Sequence, residues 1–274
     1  MNRVSIRDMR VEDVETAARF MAIWGDKRPD LRFYLSHAQC RPLVAEVAGV
    51  VVGTGNTTFN GATGWMGDLF VTAEARRAGV GSALFETRMK YLETRGCQSI
   101  ALLATAMGRP LYERFGFRSV STMYHLRGRV GASKEPESRV RRPVAADIPA
   151  IAALDRQASG EDRHHLIEAF ASRGWLATDH DGVTEAYYLP TPWGQGALVG
   201  KRSAAAELLL ALYVRERTPG DAVQISVPGD NAAAMRYLGD RGFEVEAELT
   251  RMTKGSSIDW DPTMLWGAFG LGLG

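Results

Sequence analysis

Cysteine is nearly absent from this chain. Cys40 and Cys97 are the only two among 274 residues, and neither has a His or Cys neighbour at metal-ligand spacing. This argues against a disulfide framework and a structural zinc site, so no metal is assigned, and a reduced cytoplasmic setting is expected. An excess of either charge is missing as well. The 33 basic and 32 acidic side chains leave a formal net charge of +1, so no global field gathers nucleic acid or an anionic membrane surface. No stretch approaches the roughly 18 apolar residues of a spanning helix, and the opening MNRVSIRDMRVEDVE is charged throughout, unlike a signal peptide. Neither nucleic acid nor membrane is expected as a partner.

What is present is globular: 45% of residues are hydrophobic and 24% charged, so disorder is not the default reading. The length exceeds what one hydrophobic core usually organises, which favours two domains. The segment RVGASKEPESR, residues 129–139, is rich in Gly, Ser, Pro and charge, lacks apolar periodicity, and is the best linker candidate. The halves it separates look related. Ile6-Arg7 with Asp13-Val14 corresponds to Val140-Arg141 with Asp147-Ile148, and Arg114-Phe115-Gly116-Phe117 corresponds to Asp240-Arg241-Gly242-Phe243. Internal duplication with drift explains both matches.

In the first half, Val14, Ala17, Ala18 and Met21 recur at helical spacing, and PLVAEVAGVVVGTGNTTF reads as two β-rich runs meeting at Ala48-Gly49. Residues 65–71 read as a strand, followed by a Gly-containing turn and a helix from about Gly79 with Leu84, Phe85, Met89 and Leu92 on one face. Residues 99–104 read as a buried strand, and a helix is expected near 108–115. The fold class is α/β, with mixed α and β layers.

The segment Arg76-Arg77-Ala78-Gly79-Val80-Gly81-Ser82 is where chemistry concentrates. Gly79 and Gly81 let a turn bring successive backbone N–H groups to an anion at the positive end of a helix. Arg76 and Arg77 can add charge-assisted contacts, and the Ser82 hydroxyl can meet a phosphate or cap the helix. The spacing differs from G-x-x-x-x-G-K-[ST], which disfavours a Walker-type site. Taken alone, the GxG is better explained as a Gly-rich turn beside a solvated Arg pair.

In context, the strand Asp68-Leu69-Phe70-Val71, the loop, the amphipathic helix and Leu111-Tyr112-Glu113-Arg114-Phe115-Gly116-Phe117 together resemble the GCN5-related N-acetyltransferase (GNAT) superfamily. Its loop has the form Arg/Gln-x-x-Gly-x-Gly/Ala, and Arg76, Gly79 and Gly81 occupy the defined positions. The resemblance implies that the amides of Arg77, Ala78, Gly79, Val80, Gly81 and Ser82 hold the pyrophosphate of acetyl-CoA, the co-substrate. It implies too that Phe70 and Val71 pair with the pantetheine arm as an added strand. By the same resemblance residues 1–128 form one catalytic GNAT domain, and each of two GNAT-like domains is a twisted mixed sheet flanked by helices. Tyr112 matches the family's general acid near the CoA sulfur, although a half-buried core Tyr would leave the same sequence pattern. Thr105 stands where the family often has Asn.

Transfer to an amine also needs a proton acceptor. Asp68 is the first candidate, against a strand-end carboxylate satisfied by backbone. Glu46 is a weaker one, and His37 lies in the region that helps form the acceptor pocket in the family. The pair His164-His165 suggests a metal, but adjacent side chains on a helix diverge by about 100° and rarely share a ligand.

The second half lacks the Arg-x-x-Gly-x-Gly spacing, because Gly196-Ala197-Leu198-Val199-Gly200 runs straight into Lys201-Arg202-Ser203. Leu238 stands at the Tyr112 position, while Asn231 keeps the Asn. Residues 140–274 are therefore expected to be a degenerate GNAT-like domain plus a C-terminal tail, in which Trp260, Trp266 and Phe269 anchor a final strand. Asp155, Gly160-Glu161-Asp162-Arg163 and Thr250-Arg251-Met252 resemble the YitH-like tandem subgroup, with Asp162 a first-turn carboxylate and Arg163 solvated. The expected activity is acetyl transfer to a primary amine of a small molecule by direct attack, in a monomer or homodimer. A non-catalytic acyl-CoA sensor and a protein N-terminal acetyltransferase are the alternatives.

Overall fold

The computed structural model describes residues 4–129, 139–215 and 222–274, so the linker candidate at 129–139 lies almost wholly outside the described residues. The first half runs β1 (Val4–Asp8), α1 (Val14–Phe20), α2 (Arg28–Ser36), β2 (Leu43–Val47), β3 (Val50–Asn60), β4 (Thr63–Val71), α3 (Val80–Thr94), β5 (Ser99–Ala104), α4 (Arg109–Arg114) and β6 (Arg118–Arg129). The second half repeats this order. It comprises β7 (Val140–Arg141), α5 (Ile148–Ser159), α6 (His164–Phe170), β8 (Trp175–Thr178), β9 (Thr184–Pro190), β10 (Gly196–Gly200), α7 (Ser203–Arg215), β11 (Ala222–Pro228), α8 (Ala232–Gly239) and β12 (Glu244–Gly255), followed by an added β13 (Leu265–Gly267).

The residues that suggested duplication build the same local devices twice. Arg7 grips Asp13 through two nitrogens at 2.7 and 2.9 Å, and Arg141 grips Asp147 at 2.6 and 2.7 Å. Each aspartate also accepts a backbone N–H at 2.7 Å, from Arg10 or Val144, and so fixes the turn that starts a helix. Gly116 at φ 82° and Gly242 at φ 76° close α4 and α8 in the left-handed region, dropping Phe117 and Phe243 into the core. At Ala48 and Gly49, φ values of 52° and 77° make the two-residue turn of the β2–β3 hairpin, as the sequence led us to expect.

The halves are interlocked by their last strands. β6 leaves its own half to pair with β11, and β12 inserts between β5 and β6, giving an eight-stranded sheet in the order β1-β2-β3-β4-β5-β12-β6-β11. The remaining strands form a five-stranded sheet, β13-β10-β9-β8-β7. One apolar cluster draws on both halves, with Leu31, Tyr34 and Val44 of the first packed with Ile151, Leu154, Phe170 and Leu273 of the second. Reciprocal strand exchange and a shared core fix the halves against one another. No described helix is long and apolar enough to cross a membrane.

Candidate active site

The site is made by one strand parting from another. β4 pairs with β5 in parallel only from Thr63 to Trp65 and then diverges. On its other side β4 carries an extra residue, because Asn56 faces Gly67 and Thr54 faces Phe70. This bulge puts Asp68 at φ 52°, a left-handed conformation that Asp tolerates better than most residues, and bends the strand end away from β5. Into the gap open Asp68, Phe70, Thr105 and Tyr112, which line one cavity of about 100 Å3 together with Met21, Lys27 and Leu103. Leu249 of β12 and Leu271 of the C-terminal segment complete it, so the second half supplies part of the wall.

Beyond the strand end, Arg77 at φ 62° and Gly79 at φ 81° are both left-handed, which folds the loop tightly before Val80 opens α3. The side chains of Arg76, Arg77 and Ala78 stay exposed, and a Cβ at Gly79 would meet nothing within 4 Å, so the helix start is open to an incoming anion. Gly79, not Ser82, occupies the capping position, and no side chain caps it. Arg76 turns back over Phe70 and donates from Nε to Val71 O at 3.1 Å. Phe70 and Val71 pair with β3 on one edge and leave the β5-facing edge free.

Asp68 is not satisfied by backbone. Tyr34 donates its hydroxyl to Asp68 Oδ2 at 2.8 Å, and Lys27 Nζ lies 3.6 Å from Oδ1 while also bonding Asp30. Burial alone would pull Lys27 down, but Asp68 and Asp30 outweigh it and hold the ammonium above its ordinary pKa. Burial pushes the Asp30 carboxyl up to about 6 against the pull of Lys27, and Asp30 Oδ2 is buried with no partner. Tyr112 packs on Phe85 and Phe117, and burial lifts its phenol above the usual value while nearby Arg88 offsets part of the rise.

Several expectations change. Glu46 is bound to Arg7 at 2.6 Å and cannot serve the cleft. His37 stacks on Phe33 and on His165, and the cavity does not include it. Arg163 is not solvated: it is fully buried and grips Asp155 at 2.6 and 3.0 Å, with Tyr187 completing the carboxylate's shell. His165 bonds Asn60 Oδ1 at 2.9 Å, and His164 pairs with Glu168 at 3.2 Å, so the adjacent histidines point to different partners. Lys27, Asp30, Tyr34 and Arg88 escaped sequence reading. Arg88 alone had a signal, as a charge one turn from Leu84 and one from Leu92 on an apolar face.

The corresponding cleft of the second half is filled by the chain itself. β10 and β11 belong to different sheets, and β13 pairs with β10 through Leu198 with Gly267 and Val199 with Leu265. Asn231 donates from Nδ2 to Leu265 O at 2.9 Å. Past β13 the segment runs on to the first half, where Thr58 and Asn60 each donate at 3.0 Å, to Gly272 O and Leu273 O respectively.

A bulged strand end, a left-handed loop at a helix start and a cleft lined by a carboxylate and a phenol converge on one face of the first half. Comparison with known proteins sharpens this. Residues 9–117 match the family described as acetyltransferase (GNAT) family, and residues 151–267 match a second description, acetyltransferase (GNAT) domain. The chain belongs to the GNAT superfamily as a tandem member, and it is an acyltransferase. Among solved structures it is similar to a proposed acetyltransferase from Pyrococcus horikoshii, at 20% identity over 99% of this chain and 96% of that one, with a TM-score of 0.83. A GCN5-related N-acetyltransferase from Sphaerobacter thermophilus is 19% identical over 96% and 99%, with a TM-score of 0.66. A tandem GNAT protein of the clavulanic acid biosynthesis pathway is 14% identical over 93% and 99%, with a TM-score of 0.64. At these identities the likeness is one of fold.

Proposed function

We propose that residues 1–128 transfer acetyl from acetyl-CoA to the primary amine of a small molecule by direct attack, while residues 140–274 provide a wall and no second reaction. The observation that carries this reading is the convergence of Asp68, Phe70, Thr105 and Tyr112 on one cavity, with the open loop of residues 76–82 at its strand end. Backbone amides from Arg77 to Ser82 take the pyrophosphate, and the free edge of Phe70 and Val71 takes the pantetheine arm.

An alkylammonium with a pKa near 10.4 requires about 4–5 kcal/mol to be neutral at pH 7, so the site must help remove its proton. Lys27, Asp30 and Asp68 together carry one net negative charge when ionised, which suits one incoming ammonium. Asp68 takes one ammonium proton and releases it to solvent, the amine nitrogen bonds to the thioester carbon, the C–S bond breaks, Tyr112 protonates the departing thiolate, and the nitrogen gives up its second proton to solvent as the amide forms. Return of a proton to the Tyr112 phenolate through solvent resets the site.

A small acceptor is favoured over a peptide because Leu249, Leu271 and the segment at Gly272 close the side of the cavity next to Asp68. A Cβ on Gly272 would lie 2.8 Å from Asp68 Oδ2 and 2.9 Å from Tyr34 Oη. Acetylation assays with a panel of small amines and a peptide library test this reading. Turnover of small amines alone supports it, and turnover of peptide N-termini alone overturns the acceptor assignment.

A further inference from the structure

Resting on the acyl-CoA reading above, we infer that Arg88 is a positioning residue for the transfer: its guanidinium holds the bulge of β4 open and sets a fixed positive charge beside the reacting end of the cleft. At the bulge the ladder between β3 and β4 loses its regular pairing, and carbonyls on both strands need donors. Arg88 supplies them. One nitrogen, Nη2, donates to Gly67 O at 2.7 Å and to Asn56 O, one carbonyl from each strand, while Nε reaches Thr57 Oγ1 at 3.4 Å. Gly55 makes the room, since a Cβ there would stand 2.6 Å from Arg88 Nη1.

This arrangement is not what packing alone selects. Arg88 is 1% exposed, and no carboxylate pairs with it among the described residues. Its neighbours one turn away, Leu84 and Leu92, are apolar, and an unpaired buried guanidinium is costly where Met or Leu would fill the space. Burial brings its pKa down to about 10, which leaves it charged at neutral pH. That charge is within electrostatic reach of Tyr112 on α4 and of Asp68 on β4, the latter also facing Lys27. A cation there favours a thiolate forming in the cleft.

The ionisation of bound CoA reads this effect without any acceptor. CoA is titrated calorimetrically into wild type, Arg88→Met, Arg88→Lys and Gly55→Ala, and the thiolate of bound CoA is followed by its ultraviolet absorbance from pH 6 to 10. The wild type should bind CoA and lower its thiol pKa below that of free CoA measured in the same buffer. Arg88→Met should raise the bound pKa by about one unit and weaken CoA about tenfold, with Arg88→Lys recovering much of the first effect and little of the second. Gly55→Ala, which keeps the charge but crowds the guanidinium, should weaken CoA with little change in thiol pKa. If the folded Met and Lys variants bind and ionise CoA as the wild type does, Arg88 is structural only and the inference falls. A wild type that binds no CoA overturns the acyl-CoA reading itself, and this inference with it.

Discussion

Two pairs of diverging strands sit in this molecule, β4 with β5 and β10 with β11, and the chain treats them in opposite ways. The first gap is left open, floored by Asp68 and Tyr112 and entered past a left-handed loop at Gly79. The second is occupied by β13, whose Leu265 carbonyl accepts from Asn231. Duplicated backbone therefore does not carry a duplicated cleft. The Arg–Asp clasp and the Gly–Phe turn survive in both halves because they hold the fold, whereas the loop glycines and the phenol survive only where the cleft is open. The second half also gives its surplus segment to the first, since Leu271 lines the open cavity.

Five substitutions sharpen or break this contrast. The largest effect is expected from Tyr112→Phe, which should lower kcat about 100-fold with an unchanged dissociation constant for acetyl-CoA; unchanged turnover would remove the acid from the first cleft. Next, Asn231→Ala should lower unfolding free energy in urea by about 1–3 kcal/mol, by stranding the buried Leu265 carbonyl, and leave acetyl-CoA binding untouched. A change in binding would show that the two clefts communicate.

The seam between the halves should respond to acid. Burial, with His37 adding to it, holds His165 down to about 4, against 6.5 when unfolded. The unfolded chain thus binds the proton first, so stability falls as pH drops from about 6.5 toward 4. By pH 5 the loss at this residue should be about 1–2 kcal/mol, and His165→Gln should flatten that dependence in urea titrations at several pH values. Smallest, Gly79→Val forces a β-branched residue to φ 81° and should weaken acetyl-CoA about tenfold, while Ser203→Ala, at the matching helix start of the second half, should leave its affinity alone.

Much of the fold was legible. Two β-rich runs marked β2 and β3, with Ala48-Gly49 as their hairpin turn, and an apolar run marked β5, because those signals are local. The loop at 76–82 and Tyr112 were singled out by the family resemblance, since the spacing alone reads as a Gly-rich turn. The exchange of β6 and β12 was not, since both strands look alike whichever β5-type edge they join. Lys27, Asp30 and Tyr34 were hidden for a related reason: nothing in a helix start such as Lys27-Arg28-Pro29-Asp30 tells which strand bulge it will face. Arg163 was misjudged because a first-turn charge looks solvated until a partner 8 residues earlier, Asp155, is seen to bury it.

One cleft is open and the other filled, and the stoichiometry of acetyl-CoA measured by calorimetry on the whole chain tests that difference most directly. One site per chain is expected, abolished or weakened by Gly79→Val and indifferent to Ser203→Ala. Two equivalent sites per chain would contradict it.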